Sequence, residues 1–409
     1  MSKKEYDWAN GANINSHSKI KLKVLDEYFR EYLRIRCVLP QQGKFRLAIV
    51  DGFCGAGLYN GGSVGSPIIF LRVLKEISKE LNVIRVIEGF KPLDIECSLY
   101  FNDLSHEAIS LLQNNIASMV EEIAETCPRL SLEINFSVGA FEENKISICE
   151  SIKYKNFKNL LFNLDQYGYT QVSEKSLAYL MGVARSTEIF LTFAIESFLT
   201  YLTPSRVIEI SANNSIPFTG NVAEIDKNQN KKQWLGSVEK IVFEALKGIS
   251  SYVSPFSIHN PNGWRYWLIH FANSYKARQV YNDVLHKNKS AQAHFGRSGL
   301  NMLYYNPNEE LNLYLFDRAS RSHARNQLDR DIPNLLEKNG GHLSIHKFYS
   351  SSYNQTPAHS DDINFSLVNN PDLQVVTSSG GTRRSTNTIK SGDFVRLRNQ
   401  RSFFSALTR

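Results

Sequence analysis

The chain has 409 residues, 42% of them hydrophobic and 21% charged, which allows two or three domains with sizeable cores and excludes general disorder. A net charge of +7 permits contact with nucleic acid without demanding it. Five scattered cysteines with no C-x-x-C pair, no apolar leader and no run of 18 apolar residues argue against a disulfide framework, a zinc site and a membrane span, so the expected setting is the cytoplasm with no metal and no membrane partner.

Ile20 to Arg36 carries apolar and aromatic residues at helical spacing, with a polar entry at Ser16-His17-Ser18. His17 and Lys19 either reach a ligand or merely start the helix. Phe45 to Val50 follows, a short run of the kind found in a central parallel strand. It runs into Asp51-Gly52-Phe53-Cys54-Gly55-Ala56-Gly57, where the glycines let the chain curl and a ligand approach the backbone. An acid inside this loop repels a pyrophosphate and suits an ammonium group, which favours S-adenosylmethionine over a dinucleotide. A glycine-rich connection without a ligand is the plainer alternative.

A helix is expected from Ile68 to Ile77 after Pro67, then a strand over Leu99-Tyr100-Phe101 that ends at Asn102-Asp103. Asp103, at the end of a neighbouring strand, can accept both hydroxyls of a ribose or can cap the helix from His106 to Ile116. Leu132 to Val138 alternates as a third strand and ends at Gly139-Ala140-Phe141. Asn159 to Asp165 and Ile189 to Ile195 are the fourth and fifth. Strands alternating with helices predict a doubly wound parallel α/β sheet, whose ligands gather at the carboxyl ends of the strands, where Asp51, Asp103, Gly139 and Asp165 fall.

Trp234 to Leu246 reads as a helix, and 255–260 with 264–272 as a late hairpin carrying His259 and His270, both read as structural. The composition shifts near residue 305, giving expected domains 1–305 and 306–409. In the second, Leu311 to Phe316 reads as a strand, Ala324 to Lys338 as a helix, 343–350 and 361–368 as short helices, and 373–377 and 393–397 as strands around Arg383-Arg384. That is the outline of a winged helix. Most of the basic surplus lies from Asp372 onward, so Arg383, Arg384, Lys390 and Arg396 are candidate nucleic-acid contacts, the alternative being a solvated basic surface.

His17-Ser18-Lys19, Asp51 to Gly57, Gly65-Ser66-Pro67, Asp165-Gln166-Tyr167-Gly168 and Trp264 to His270 together resemble the three-Cys-motif partner proteins (TcmP), a family of the class I methyltransferase superfamily. The resemblance covers roughly residues 15–290. It implies a Rossmann-like methyltransferase sheet of seven strands with the last antiparallel, and S-adenosylmethionine held by Asp51, Phe53, Gly55, Gly57, Asp103, Gly139 and Phe141. Asn102-Asp103-Leu104 and the Asp165 loop are also similar to tRNA guanine-N2 methyltransferases, which implies methyl transfer to an exocyclic base amine, with Asp165 accepting the amine hydrogens and Tyr167 stacking the base. Gln166 stands where such loops usually carry proline, and Ala140 where many members carry an acid. A second implication of the family name is a binding module that serves a three-cysteine, radical-type partner enzyme. Cys54 reads as a packing residue rather than a nucleophile.

Overall fold

The computed structural model describes residues 8, 11–195, 240, 242–258, 266–289, 291–292, 298–300 and 314–398. These divide into two compact units, one within 8–195 and 248–274, the other within 240–247 and 275–398. The expected boundary near residue 305, the turn at 260–263, His259 and most of the expected strand 311–316 lie outside the described residues.

The first unit is an α/β sandwich. Its chain order is α1 (Ser16–Arg36), β1 (Lys44–Asp51), α2 (Ser66–Ile87), β2 (Asp94–Asp103), α3 (His106–Thr126), β3 (Leu130–Val138), α4 (Phe141–Tyr154), β4 (Asn159–Leu164), α5 (Glu174–Met181), β5 (Ser186–Phe193), β6 (Tyr252–Ile258) and β7 (Tyr266–Ala272). The strands lie in the order β3-β2-β1-β4-β5-β7-β6. Those from β1 to β5 pair in parallel, and β7 runs antiparallel to both neighbours. This is a Rossmann-like sheet, mostly parallel, with its reversed strand last in the chain.

The burial pattern explains the architecture. Residues 47–51 of β1 are all buried, as a strand covered by helices on both faces requires. α1 buries Val24, Leu25, Tyr28, Phe29, Tyr32 and Leu33, with Phe29 edge-on to Phe70 of α2 at 5.3 Å between centroids. Arg34 holds Glu80 of α2 through Nε and Nη2, both at 2.8 Å. Asp51 lies level with Phe101 of β2 and Asn163 of β4, so the ends of the three central strands meet.

The second unit contains α6 (Tyr275–Asn288), α7 (Arg318–Lys338), β8 (His342–Ser344), α8 (Ile345–Ser352), α9 (Ser360–Asn369), β9 (Leu373–Val376) and β10 (Phe394–Leu397). These three strands form an antiparallel sheet in the order β9-β10-β8. The expected helix from Leu343 starts later: His342–Ser344 pairs with β10 and Ser344 then caps α8, accepting from Lys347 N–H at 3.1 Å. Arg321 and Arg325 of α7 converge on the buried Asp362 of α9, at 2.7 Å and 2.6 Å, and fix those helices to each other. Only the end of the helix expected over 234–246 is described, and it is helical at 242–246. Among the described residues no helix is long and apolar enough to cross a membrane.

Candidate active site

The glycine loop is held from both sides by neighbouring strands. Gly52 N–H donates to Asn163 O at 2.9 Å, and Cys54 N–H donates to Asn102 O at 3.0 Å. Asn102 Nδ2 donates to the carbonyls of Gly52 and Gly139, each at 3.1 Å, tying the ends of β1, β2 and β3 together. Gly55 and Gly57 have φ of +59° and +78°, which side chains with a Cβ rarely adopt, so glycine is required for this curl. A Cβ on Gly55 would come within 2.5 Å of the Trp8 ring.

Each strand-end acid has a different setting. Asp103 accepts from Gly55 N–H through Oδ2 at 2.8 Å and from Ser105 N–H through Oδ1 at 2.9 Å, which links β2 to the loop and leaves further lone pairs on both oxygens. Asp51 is fully buried beneath the loop and accepts from Asn163 Nδ2 at 3.0 Å, while its Oδ2 has no hydrogen-bond partner. Burial pushes the Asp51 carboxyl up to about 7; the Ser66 and Asn163 side chains draw it back, and the negative Asp165 adds to the rise. Asp165, just past β4, is ion-paired with Lys21 of α1. Burial raises its carboxyl, but the Lys21 charge and hydrogen bond outweigh this and hold it below the usual carboxylate range.

Lys21 is the site residue that sequence reasoning missed. Its ammonium also reaches Thr192 Oγ1 of β5 at 3.3 Å and lies 5.9 Å from the centre of the Tyr266 ring. His17, one helical turn earlier, stacks on Tyr266 at 4.3 Å. Burial, and then the Lys21 charge, lower the His17 pKa to about 4, so its ring is neutral at physiological pH.

The fourth-strand loop is ordered by Gln166 itself. This side chain is 2% exposed, and its Oε1 accepts from the N–H groups of Gln171 and Val172 at 2.9 Å and 3.0 Å. Gln171 in turn accepts from Tyr167 N–H at 2.9 Å. The Tyr167 side chain, two positions after Asp165, is left 63% exposed. Gln166 Nε2 is buried with no hydrogen-bond partner.

The remaining candidates sort by exposure. Phe53 is half-buried and its ring lies 6.0 Å from that of Phe141, which is buried at the start of α4 and would meet any Cβ on Gly52 at 2.9 Å. Phe141 thus forms the floor of the loop. Gly139 has φ +130° and donates to Asp103 O at 3.0 Å. Cys54 is buried, and burial with the nearby Asp51 and Asp103 pushes its thiol well up, away from nucleophilic reactivity. His270 sits within the sheet, 3.2 Å from Glu188, which also accepts from the Tyr28 hydroxyl. Among the described residues no cluster of three His, Cys, Asp or Glu could hold a metal.

In the second unit, Arg383 is bound by Asp393 through Nε at 2.9 Å and Nη2 at 3.1 Å. Arg384 and Lys390 are exposed on the connection between β9 and β10, and Arg396 is exposed on β10, with Nε and Nη2 on Gln374 Oε1 at 3.2 Å and 3.0 Å.

The first unit therefore brings Asp51, Asp103, Gly139 and Asp165 to one end of the sheet, around a loop whose curl needs Gly55 and Gly57, with α1 supplying a cation to Asp165. No protein-family model matches the chain, and no curated protein matches it.

Proposed function

We propose that the chain is an S-adenosylmethionine-dependent methyltransferase of the three-Cys-motif partner type, acting on an exocyclic amine of a nucleic-acid base. The observation that carries this reading is the meeting of Asp103, the glycine loop and Asp165 at the carboxyl ends of β2, β1 and β4. S-adenosylmethionine would supply an electrophilic methyl group there. Asp103, oriented by two backbone N–H groups, has lone pairs left for ribose hydroxyls. Phe53 and the Gly139 to Phe141 turn provide the apolar wall for an adenine. The buried, unpartnered oxygen of Asp51 and nitrogen of Gln166 are polar groups that a ligand or its water can satisfy.

Asp165 remains ionised against Lys21 and can accept a hydrogen from the target amine, which keeps the nitrogen lone pair turned toward the methyl carbon. Tyr167, exposed two positions further on, offers a face for the base. From α7 onward the order helix, strand, helix, helix, strand, strand supports a winged-helix reading, with Arg384, Lys390 and Arg396 as phosphate contacts and Arg383 bracing the wing.

A different class of role, a binding module that serves a three-cysteine partner enzyme, is favoured by one observation: the Lys21 cation already occupies Asp165. Calorimetry with S-adenosylmethionine and its demethylated product, together with nucleoside mass spectrometry after incubation with RNA and DNA, separates the two. Cofactor binding that falls about tenfold in Asp103→Ala, with a new methylated nucleoside, supports the enzyme. Binding without a product supports the module, and no binding refutes both.

A further inference from the structure

The small sheet of the second unit has a buried face and an open one. Leu343, Leu373, Val375 and Val395 are buried, and the residues between them point the other way. Register sets Arg396 of β10 opposite both Gln374 of β9 and His342 of β8, with Phe394 opposite Val376. A cavity of about 590 Å³ lies on this face, lined by His342, Val376, Phe394, Arg396 and Arg398 among others. A second, of about 270 Å³, shares Arg396 and Arg398.

The chemistry of this face is one-sided. Phe394 is 42% exposed, an aromatic ring presented beside cations. Among the described residues, Arg396 binds only the neutral Gln374, and Arg398 Nε donates to the Leu373 carbonyl at 2.8 Å, so these contacts orient both guanidinium groups without neutralising them. Among the described residues no acidic residue lines either cavity. Arg383, by contrast, is already matched to a carboxylate.

We infer that this open sheet face binds single-stranded nucleic acid, with Phe394 stacking on a base and Arg396 and Arg398 holding successive phosphates. The inference rests on the nucleic-acid reading above and assigns docking to the sheet rather than to the wing tip. Phe394 and Arg396, two apart on one face of β10, are about 6.7 Å apart, a step comparable to that between phosphates of an extended strand, and Arg398 follows directly after the strand, its N–H on Asp372 O. A duplex hides its base faces within the stack, so an exposed ring on a flat sheet selects for a single strand.

The test is fluorescence anisotropy of the full chain with a short labelled single strand, of RNA and of DNA, and with the matching duplex. Phe394→Leu should weaken single-strand binding about tenfold with no change in salt dependence, and Phe394→Trp should retain it. Removing Arg396 and Arg398 should flatten the log–log salt slope by about 0.7 per arginine. Circular dichroism melts confirm that each variant is folded. Unchanged binding by Phe394→Leu, or equal binding of strand and duplex by the wild type, overturns the inference. Loss confined to Arg384→Ala and Lys390→Ala moves docking to the wing, overturning the inference while sustaining the nucleic-acid reading. No binding of any nucleic acid by the wild type overturns both.

Discussion

Replacing Asp51 by Asn tests whether the glycine loop rests on a buried carboxyl that resists ionisation. Asp51 is fully buried, and its carboxyl is raised from 3.8 to about 7. A folded-state pKa above the unfolded one means that the native state holds the proton more tightly. The contribution of Asp51 to stability is then complete below pH 4 and is lost as pH rises through 7. At roughly 1.4 kcal/mol per pH unit over this interval, the loss amounts to about 4 kcal/mol. Asn keeps an acceptor for Asn163 Nδ2 and removes the titration. Urea unfolding of wild type and Asp51→Asn at several pH values between 4.5 and 7.5 gives a stability difference in which all other titrations cancel. That difference should move in favour of the variant by about 1.4 kcal/mol for each pH unit across most of the range. A difference independent of pH would refute the reasoning, because it would mean that the carboxyl titrates as it does in the unfolded chain.

The Lys21–Asp165 pair should show coupling in a double-mutant cycle: Lys21→Met alone should destabilise by about 2 kcal/mol, because it leaves a half-buried carboxylate without its cation, and adding Asp165→Asn should recover most of that loss. Additive effects, read by thermal unfolding, would count against the pair. The His17 ring should titrate with a midpoint near 4 in an NMR pH series, since burial and the Lys21 charge disfavour its protonation, and Lys21→Met should move the midpoint upward. A midpoint near 6.5 in the wild type would show that the ring is solvated rather than stacked on Tyr266.

Much of the sheet is legible in the sequence because strand ends and glycines are local signals. Asp51, Asp103 and Asp165 each follow an apolar run, and a parallel sheet has to gather such ends on one side. The roles of those acids are less legible, because their partners are distant in the chain. Nothing around Lys21 announces that a helix start meets the end of β4, and the helical spacing of its neighbours reads the same whether that face meets solvent or a carboxylate. Gln166 stands out in the sequence for the proline it replaces; its acceptance of two N–H groups in the same loop emerges only from the folded turn. His342–Ser344 is too short for a period-2 pattern to declare itself, and it merges with the apolar start of α8. Arg383 reads as a free wing-tip cation until the hairpin folds and brings up Asp393 ten positions later.

The bridge from Lys21 to Asp165 spans 144 positions, and the one to Thr192 spans 171. A growing chain therefore exposes α1 long before β4 and β5 exist to receive it. Closing so long a loop is entropically slow and is rewarded only once the central strands are aligned. The electrostatic setting of Asp165 therefore depends on the completed sheet, because its cation comes from a helix far away in the chain. A fragment ending before β4 would carry the glycine loop and Asp103 yet lack the carboxylate that Lys21 awaits.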